Sequence, residues 1–477
     1  YPIKYNAKLS STAAANEISD MYDQLKRGDI GRATTKKGHA ENRVKGDVDR
    51  PVHLDHILVV MGHVNQVIHD LAFHEYLIDA NRILNHGDFQ SAVKVRFGSE
   101  VYSEIQRTIK DVAQGDIPAA TTAEALLHHL RVGASIAAMG WNTSTAAIQF
   151  LGLSQSFSRV GTKWVFKGMA RFFTGAENMD NGYQWIYEHS AMMRDRAATI
   201  MREINEIRNK VSQTGILGGL NSKMGDTYFY FIAKAQMMVD VPTWIGAYTK
   251  AMEEGVDGRQ IENEAEAIAL ADQAVKESQS SGEIMDQAGI QRGGPGWKLF
   301  TTFYSFFSAT YNNNAHAFNK TDFKSAYSVG AYAADFLMIN FLPVALSLLI
   351  KDVMIRGACD GGSDLECMGK KLVEDEATWL LGTMVLVREL GGALQGFAGY
   401  GGPAGVGFFS QASKLVVQAE QGEPDRAMWK ALIGTLGTAF HKPAVFLNRI
   451  LDAYLDAEEG KNVRPLAPLF GQDPDSK

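Results

Sequence analysis

Apolar residues recur every three or four positions along most of this chain, and this helical period constrains its fold more than any other feature. Runs of alternating β-branched residues, which would predict strands, are nearly absent, and only 12 prolines interrupt the 477 residues. Hydrophobic residues make up 45% of the chain and charged residues 21%, a composition that can bury a core. The sequence therefore predicts an all-α fold, in the form of an extended multi-helix bundle.

The predicted helices are separated by polar or glycine-containing breaks. The apolar period is strong from His53 to His86, and further helices are predicted at 9–27, 99–114, 122–139, 157–176, 183–212, 219–254 and 259–281. Asp257 lies between the last two helices and is a candidate cap for the second.

Four segments of the chain differ in composition. Residues 1–52 combine a first helix with a polar arm, and residues 53–292 predict a soluble helical region. Residues 293–459 carry aromatic and apolar helices that could act on a membrane, and residues 460–477 predict an extended, partner-seeking tail. Because the first residues contain no start methionine and no targeting signal, we expect the chain to be a piece of a longer polypeptide.

A long apolar stretch lies in the third segment. Residues 336–350 contain no charged side chain, and a helix over residues 328–350 would be about 34 Å long, enough to cross a bilayer core. Two explanations remain open: a buried hydrophobic hairpin in a large helical assembly, or a segment that stays covered and later inserts. The membrane-active candidates are Phe336, Leu337, Phe341, Leu342, Leu346 and Leu349.

Two neighbouring stretches are less clear membrane candidates. Residues 378–387 are apolar but end at a charged pair, Arg388 and Glu389. Residues 390–413 lack charge but hold eight glycines between 391 and 407, which predicts a loop-like, deformable segment. The chain's mean hydropathy of −0.14 is too polar for an integral membrane protein, so these segments belong to an otherwise water-soluble chain.

Aromatic side chains predict a packing and oligomer surface. Residues 297–311 hold seven aromatic residues at helical spacing, so a helix there needs a core, a subunit interface or a membrane surface to cover it. An ordinary core helix explains the pattern equally well. The residues assigned to this surface are Trp185, Tyr187, Trp244, Tyr248, Trp297, Phe300, Phe303, Tyr304 and Phe307.

Patterns for catalysis, metal or cofactor binding are weak. Six of the 12 histidines lie between His53 and His86, but without an HExxH pattern, and core or interface positions with possible pH sensitivity fit them better than a metal site. No GxSxG nucleophile elbow occurs, and no paired acids lie in a lysozyme-like context. GGPGWK at 293–298 lacks the spacing of a phosphate-binding loop. We therefore expect no enzyme activity and no cofactor.

The two cysteines, Cys359 and Cys367, flank a short loop between apolar stretches. They could form a disulfide in an oxidising compartment, and free thiols are the alternative. The formal net charge of −7 argues against a surface that coats nucleic acid, because such a surface needs clustered Lys and Arg; a local DNA contact stays open.

Five stretches, in order, resemble the helical region of large polyvalent proteins of phages and prophages, a group that includes the internal virion proteins of short-tailed phages. The resemblance covers roughly residues 50–320. The stretches are HVNQVIHDLAFHEYLIDANRIL at 63–84, YQWIYEHSAMMRDRAATIMREINEIRN at 183–209, DVPTWIGAYTKAMEEG at 240–255, AIALADQAVKESQSSGEIMDQAGIQRG at 267–293 and LFTTFYSFFSATYN at 299–312.

The resemblance implies a chain that oligomerises inside the capsid beside other internal virion proteins and the portal. On ejection, such proteins enter the host envelope and help to form a conduit through which double-stranded DNA passes without sequence-specific contact. The family supplies no catalytic residues for positions in this chain. Two alternatives stay open: the C-terminal packaging region of a virion RNA polymerase, and an injected polyvalent defence-evasion protein.

Overall fold

The computed structural model describes residues 56–114, 122–174, 184–199, 227–256, 259–261, 263–281, 286–293, 295–302, 304–349, 365–382, 406–420, 425–463, 465 and 467–471. These residues form helices and no strand, apart from one isolated bridge between Val256 and Arg259. The predicted all-α fold is confirmed. The predicted helix at 9–27 and the polar arm lie outside the described residues, as does Asp257.

The chain divides into two compact units, Tyr1–Pro118 and Ala119–Lys477. The described helices of the first unit are His56–Asn85, Gly87–Phe97 and Ser99–Gln114, the last of which matches its predicted ends. Tyr102 is buried there and donates a hydrogen bond of 2.9 Å to the carbonyl of Leu84. This contact ties the third helix to the first.

The second unit contains many more helices, among which Thr122–Met139 also matches its predicted ends. They are Thr122–Met139, Thr143–Ile148, Gly152–Val160, Thr162–Thr174, Gln184–His189, Ala191–Thr199, Tyr230–Glu254, Glu264–Gln279, Pro295–Thr301, Ser305–Lys320, Ala326–Phe336, Leu342–Leu348, Leu365–Gly382, Val406–Glu420, Arg426–Phe440, Ala444–Glu458 and Ala467–Phe470. A 3-10 turn, Gln149–Leu151, precedes the Gly152–Val160 helix. A π-helical turn, Leu337–Phe341, joins Ala326–Phe336 to Leu342–Leu348.

The Tyr230–Glu254 helix forms the centre of the second unit. Its apolar side chains join a buried cluster with residues from the helices before and after it, including Trp164, Val165 and Val275. Gly168 and Gly246 allow the Thr162–Thr174 helix to approach it closely. A Cβ on Gly246 would lie 2.6 Å from the carbonyl oxygen of Trp164, and one on Gly168 would overlap the carbonyl oxygen of Pro242.

A buried ion pair fixes the same core. The Arg196 Nε lies 2.7 Å from the Asp240 carboxylate, and their side chains are 11% and 6% exposed. Arg196 also donates to the carbonyls of Gln279 and Ser280, which end the Glu264–Gln279 helix and have no donor within it. One guanidinium therefore connects three helices, and removing either charge would leave the other buried and unpaired.

Two long helices predicted from the sequence are each broken in the structure. The single helix predicted at 157–176 is wrong, because the chain turns at Gly161 and forms two helices. Gly161 has φ +104°, a conformation that favours glycine. The prediction at 183–212 breaks at Ser190, whose hydroxyl accepts from the Met193 N–H at 2.9 Å and caps the next helix. Residues 200–212 lie outside the described residues.

The aromatic helix predicted at 297–311 is also two helices, Pro295–Thr301 and Ser305–Lys320. The Thr301 hydroxyl donates to the Trp297 carbonyl at 3.2 Å, and the Thr302 hydroxyl donates to that of Lys298. These bonds satisfy carbonyls at the end of the first helix, where the chain changes direction.

The glycine-rich prediction and the tail prediction also need correction where they are described. Residues 406–413 belong to the Val406–Glu420 helix instead of a loop. The tail forms the short Ala467–Phe470 helix, and the Leu469 carbonyl accepts from Thr143 at 2.7 Å and from Arg449 at 2.7 Å. Its described residues therefore pack on their own unit.

Replacing Gly168 with alanine tests the close helix contact. We expect the free energy of unfolding to fall by about 1–3 kcal/mol, because the new methyl group must push two backbones apart. Gly330→Ala is the matched control, since a Cβ there meets no atom within 4 Å, and alanine should stabilise that helix by up to about 1 kcal/mol. Urea unfolding of both variants measures the difference, and equal effects would contradict the packing account.

Two stacked histidines join the Thr122–Met139 and Arg426–Phe440 helices. The rings of His129 and His441 have centroids 4.3 Å apart. The His129 Nε2 lies 3.0 Å from the Ala439 carbonyl oxygen, and the His441 Nε2 lies 3.3 Å from the His129 carbonyl oxygen. Burial lowers the pKa of His441 to about 4, and the positive charges of His129 and Lys442 act in the same direction. His441 is therefore neutral in the folded chain at neutral pH.

This histidine predicts a pH dependence of stability. The unfolded pKa is about 6.5, so between pH 6.5 and 4 the unfolded chain binds more protons and stability falls as the pH falls. His441→Asn keeps a residue that tolerates the left-handed backbone there, φ +55°. Between pH 6.5 and 4, the unfolding free energy of the wild type should fall by up to about 3 kcal/mol more than that of the variant. Identical slopes of unfolding free energy against pH would refute the assignment.

Candidate functional site

One helix in the described part of the chain is long and apolar enough to cross a bilayer. It covers Ala326–Leu348, 23 residues, of which the most apolar window of 18 has a mean hydropathy of 1.6, and we call it the apolar helix. At 1.5 Å per residue it is about 34 Å long. Only 22% of its apolar window is buried, whereas a core helix of a water-soluble protein is mostly buried. The described part of this chain therefore leaves most of the apolar helix uncovered, and both explanations, burial in a larger assembly and later insertion, stay predictions.

The apolar helix is attached along its C-terminal half and exposed along its N-terminal half. Ile339, Val344 and Leu348 are at most 4% exposed and pack against the unit. No residue of Ala326–Phe336 is buried. Large side chains that reach solvent lie in the N-terminal half and at its junction with the attached half. They are Tyr327, Val329, Phe336, Leu337 and Phe341, between 39% and 89% exposed.

A proline creates an unusual polar attachment in the C-terminal half. Pro343 has no N–H, so it cannot bond the carbonyl of Ile339 four residues earlier. Around this position the backbone forms the π-helical turn Leu337–Phe341. The side-chain amide of Gln155 donates to the Ile339 carbonyl at 2.9 Å, and both residues have no exposed surface. A donor from another helix thus replaces the missing backbone bond.

The Gln155 amide continues into a chain of buried hydrogen bonds. Asn313 donates to the Gln155 oxygen at 3.0 Å and to the Glu277 carbonyl at 3.2 Å. The chain therefore runs from the Glu264–Gln279 helix through Asn313 and Gln155 to the apolar helix. Each step joins groups that would cost about 1–3 kcal/mol if left buried without a partner.

A second attachment pairs two asparagines. Asn314 and Asn340 exchange hydrogen bonds of 3.1 Å and 2.8 Å through their side-chain amides, and Asn340 is completely buried. Asn340 also donates to the Phe336 carbonyl at 3.1 Å, inside the π-helical turn. The pair uses a donor and an acceptor on both side chains, which fixes the register between the two helices.

Charged groups lie beside these hydrogen bonds. The Ser158 hydroxyl donates to the Asp335 carboxylate at 3.1 Å, and Arg159 pairs with Glu277 close by. The pKa of His316 is lowered, first by burial and then by the Arg159 charge. A polar cleft of about 380 Å³ opens beside His316 and Asn313.

The aromatic residues predicted for a packing and oligomer surface fall into separate places. Trp244 is 0% exposed and lies 6.0 Å from Trp185 and 5.2 Å from Tyr248 between ring centroids. A side chain without exposed surface cannot form a surface between subunits, so Trp244 is a core residue instead. Tyr187 packs against the same cluster. The Tyr248 hydroxyl donates to Glu264, and burial with this acidic partner raises its pKa to about 12.

The second group of aromatic residues lies at the helix break. Trp297 is 50% exposed, and its ring centroid lies 6.3 Å from that of Phe300. Tyr304 stacks on Phe307 at 6.5 Å, and Phe307 contacts Trp379 at 5.9 Å. Phe303 lies outside the described residues.

The membrane-active candidates lie at the junction of the two halves and in the attached half. Phe336, Leu337 and Phe341 are between 39% and 54% exposed, and Leu349 just beyond the helix is 47% exposed. Leu342 and Leu346 are half-buried. Cys359 lies outside the described residues, and of Cys367 only its backbone in the Leu365–Gly382 helix is described, so the disulfide stays a prediction.

No cluster of three or more metal-binding side chains occurs among the described residues. No protein-family model, no curated protein and no solved structure matches this chain. The site must therefore be interpreted from its own geometry.

The sequence reasoning missed the residues that hold the apolar helix. Gln155, Asn313 and Asn314 were not identified as its partners. A proline within an apolar helix does signal an unpaired carbonyl four positions earlier. Its donor, Gln155, is 184 residues away in the chain, and no local pattern marks it.

Gln155→Ala tests the attachment. The variant leaves the Ile339 carbonyl without its donor and removes a partner of Asn313, so we expect a loss of about 2–4 kcal/mol in unfolding free energy. Amide hydrogen exchange in residues 337–349 should accelerate most. Gln273→Ala is the matched control, because Gln273 is exposed and bonds only across one helical turn to Glu277. If both variants exchanged alike over 337–349, Gln155 would not be the attachment.

Proposed function

We propose that this chain is part of an internal virion, or ejection, protein of a short-tailed phage. It oligomerises inside the capsid, beside other internal virion proteins and the portal, and helps to form a conduit for the genome across the host envelope. One observation carries the proposal: a helix of membrane length exposes large apolar side chains on a chain with a mean hydropathy of only −0.14. The ordered resemblance of five stretches supports it.

An α-helix can move from a protein surface into lipid because its backbone hydrogen bonds are internal. The apolar helix contains Asp335, Asn340 and Pro343. In lipid alone, the polar side chains and the backbone carbonyl that proline cannot bond would have no hydrogen-bond partner. In an oligomer, neighbouring copies or a water-filled lumen would satisfy them. This requirement favours a multi-chain conduit over a single inserted helix.

The charge of the chain fits passage of DNA more than storage of DNA. A formal net charge of −7 provides no excess of Lys and Arg to neutralise phosphates. A weakly acidic conduit would let double-stranded DNA pass without sequence-specific contact. No enzymatic step is assigned to this segment.

Mass spectrometry of particles purified from the producing phage tests the virion assignment. We expect the chain in intact particles and its loss after ejection is triggered, because an ejection protein leaves with the genome. Capsid and portal peptides serve as the internal control. Absence from intact particles would contradict the proposal, and retention in emptied particles would contradict the ejection role.

Leakage of dye from vesicles tests the membrane assignment. Leu337→Asp places a charge at the middle of the apolar helix and should cost about 3 kcal/mol for insertion, or roughly a hundredfold in leakage activity. Val95→Asp is the control, since Val95 is 89% exposed in the first unit and should leave leakage unchanged. Equal leakage from wild type and Leu337→Asp would exclude insertion of this helix.

A further inference from the structure

An aromatic cluster marks the turn before the apolar helix. The Ser305–Lys320 helix and the apolar helix are joined by residues 321–325. The rings of Phe318 and Phe323 have centroids 5.1 Å apart, and Tyr332 lies 6.0 Å from the first and 6.2 Å from the second. We call Phe318, Phe323 and Tyr332 the aromatic tip.

The aromatic tip is preformed and exposed. Phe318 is 54% and Phe323 56% exposed, and Tyr327, the second residue of the apolar helix, is 89% exposed. Clustered exposed aromatic side chains are costly in water and mark contact surfaces. The tip is also continuous with the exposed half of the apolar helix, through Phe336 at 6.4 Å from Tyr332.

Hydrogen bonds hold the turn in one conformation. The Lys324 N–H donates to the Asp322 carboxylate at 3.0 Å, and the Asp322 N–H donates to the Ser328 hydroxyl at 2.9 Å. The Ser325 hydroxyl accepts from the Ser328 N–H at 3.3 Å and caps the apolar helix. Because the turn is fixed, Phe323 is held outward instead of folding back onto the unit.

Two lysines are close neighbours of the aromatic residues in the sequence. Lys320 and Lys324 are both exposed, and neither forms an ion pair with a described residue. The single acid of the turn, Asp322, already accepts the Lys324 backbone N–H. The surface therefore combines aromatic rings with net positive charge, the composition that occupies the boundary between lipid headgroups and acyl chains.

We propose that the aromatic tip binds the headgroup region of a bilayer that contains anionic lipids, with its rings at the interface and both lysines near lipid phosphates. This inference rests on the proposed membrane function and adds the lipid class and the leading end. Binding through the tip brings the N-terminal end of the apolar helix to the bilayer before the helix enters it.

Other occupants fit this surface less well. A second copy of the same surface would bring Lys320 and Lys324 against like charges, which is unfavourable. Nucleic acid would find only two lysines, and each phosphate contact needs its own cation. A lipid surface satisfies the rings and the cations together.

Flotation of the full chain with vesicles tests the inference. The vesicles are phosphatidylcholine alone, or phosphatidylcholine with about 30% phosphatidylglycerol. Phe323→Ser should weaken binding to the anionic vesicles about tenfold. Lys320→Gln and Lys324→Gln should each weaken binding to the anionic vesicles about fivefold, and high salt should remove this electrostatic contribution to binding. Circular dichroism confirms that each variant is folded.

Matched controls use exposed residues elsewhere. Tyr454 is 64% exposed, so Tyr454→Ser removes an equally accessible ring, and Lys110→Gln removes an exposed cation from the first unit. Both controls should bind as the wild type does. Unchanged binding of Phe323→Ser, or equal wild-type binding to neutral and anionic vesicles, would overturn the inference. Loss of self-association without loss of lipid binding in Phe323→Ser would assign the tip to a second copy instead.

The two membrane proposals fail separately. Leu337→Asp should keep the tip's binding to anionic vesicles and lose leakage, whereas Phe323→Ser should lose binding at low lipid concentration and keep leakage per bound chain. Leakage lost in Leu337→Asp with binding unchanged in Phe323→Ser would overturn the tip and leave the proposed function intact. A wild-type chain that binds neither vesicle would overturn the tip and remove the membrane support for the proposed function.

Discussion

Pro343 has no N–H to donate to the carbonyl of Ile339 four residues earlier, and a side chain from a distant helix bonds that carbonyl instead. The Gln155 amide supplies the donor at 2.9 Å. Asn313 in turn donates to the Gln155 oxygen and to the Glu277 carbonyl. A local defect in one helix is thus satisfied by a polar chain across the second unit.

This attachment is polar and confined to the C-terminal half of the apolar helix. Leu337 and Phe341 stay exposed beside it, so the helix is held by specific hydrogen bonds and modest apolar contact instead of complete burial. Such bonds depend on one another, because losing Gln155 would strand groups on two helices. Under the proposed function, a helix held in this way can leave as a unit once a bilayer offers its apolar face a better environment than water.

The helical period predicted the fold class and two complete helices, 99–114 and 122–139, because amphipathic spacing is a local signal. It failed where one polar residue or glycine ended a helix, at Gly161 and Ser190, since such breaks depend on backbone angles and distant partners. The apolar stretch was evident from its composition. Its polar attachments were not, because hydrogen-bond partners 26 to 184 residues apart leave no periodic trace.

The most direct measurement follows Leu337, the middle residue of the apolar helix. An environment-sensitive fluorophore on Leu337→Cys, in a chain with both native cysteines replaced by serine, reports whether this position enters lipid. With vesicles containing brominated lipids, we predict a blue shift and the strongest quenching by bromines near the bilayer centre, because a helix of about 34 Å places its middle there. Unchanged emission, or quenching only by headgroup-level bromines, would show that the apolar helix does not cross the bilayer.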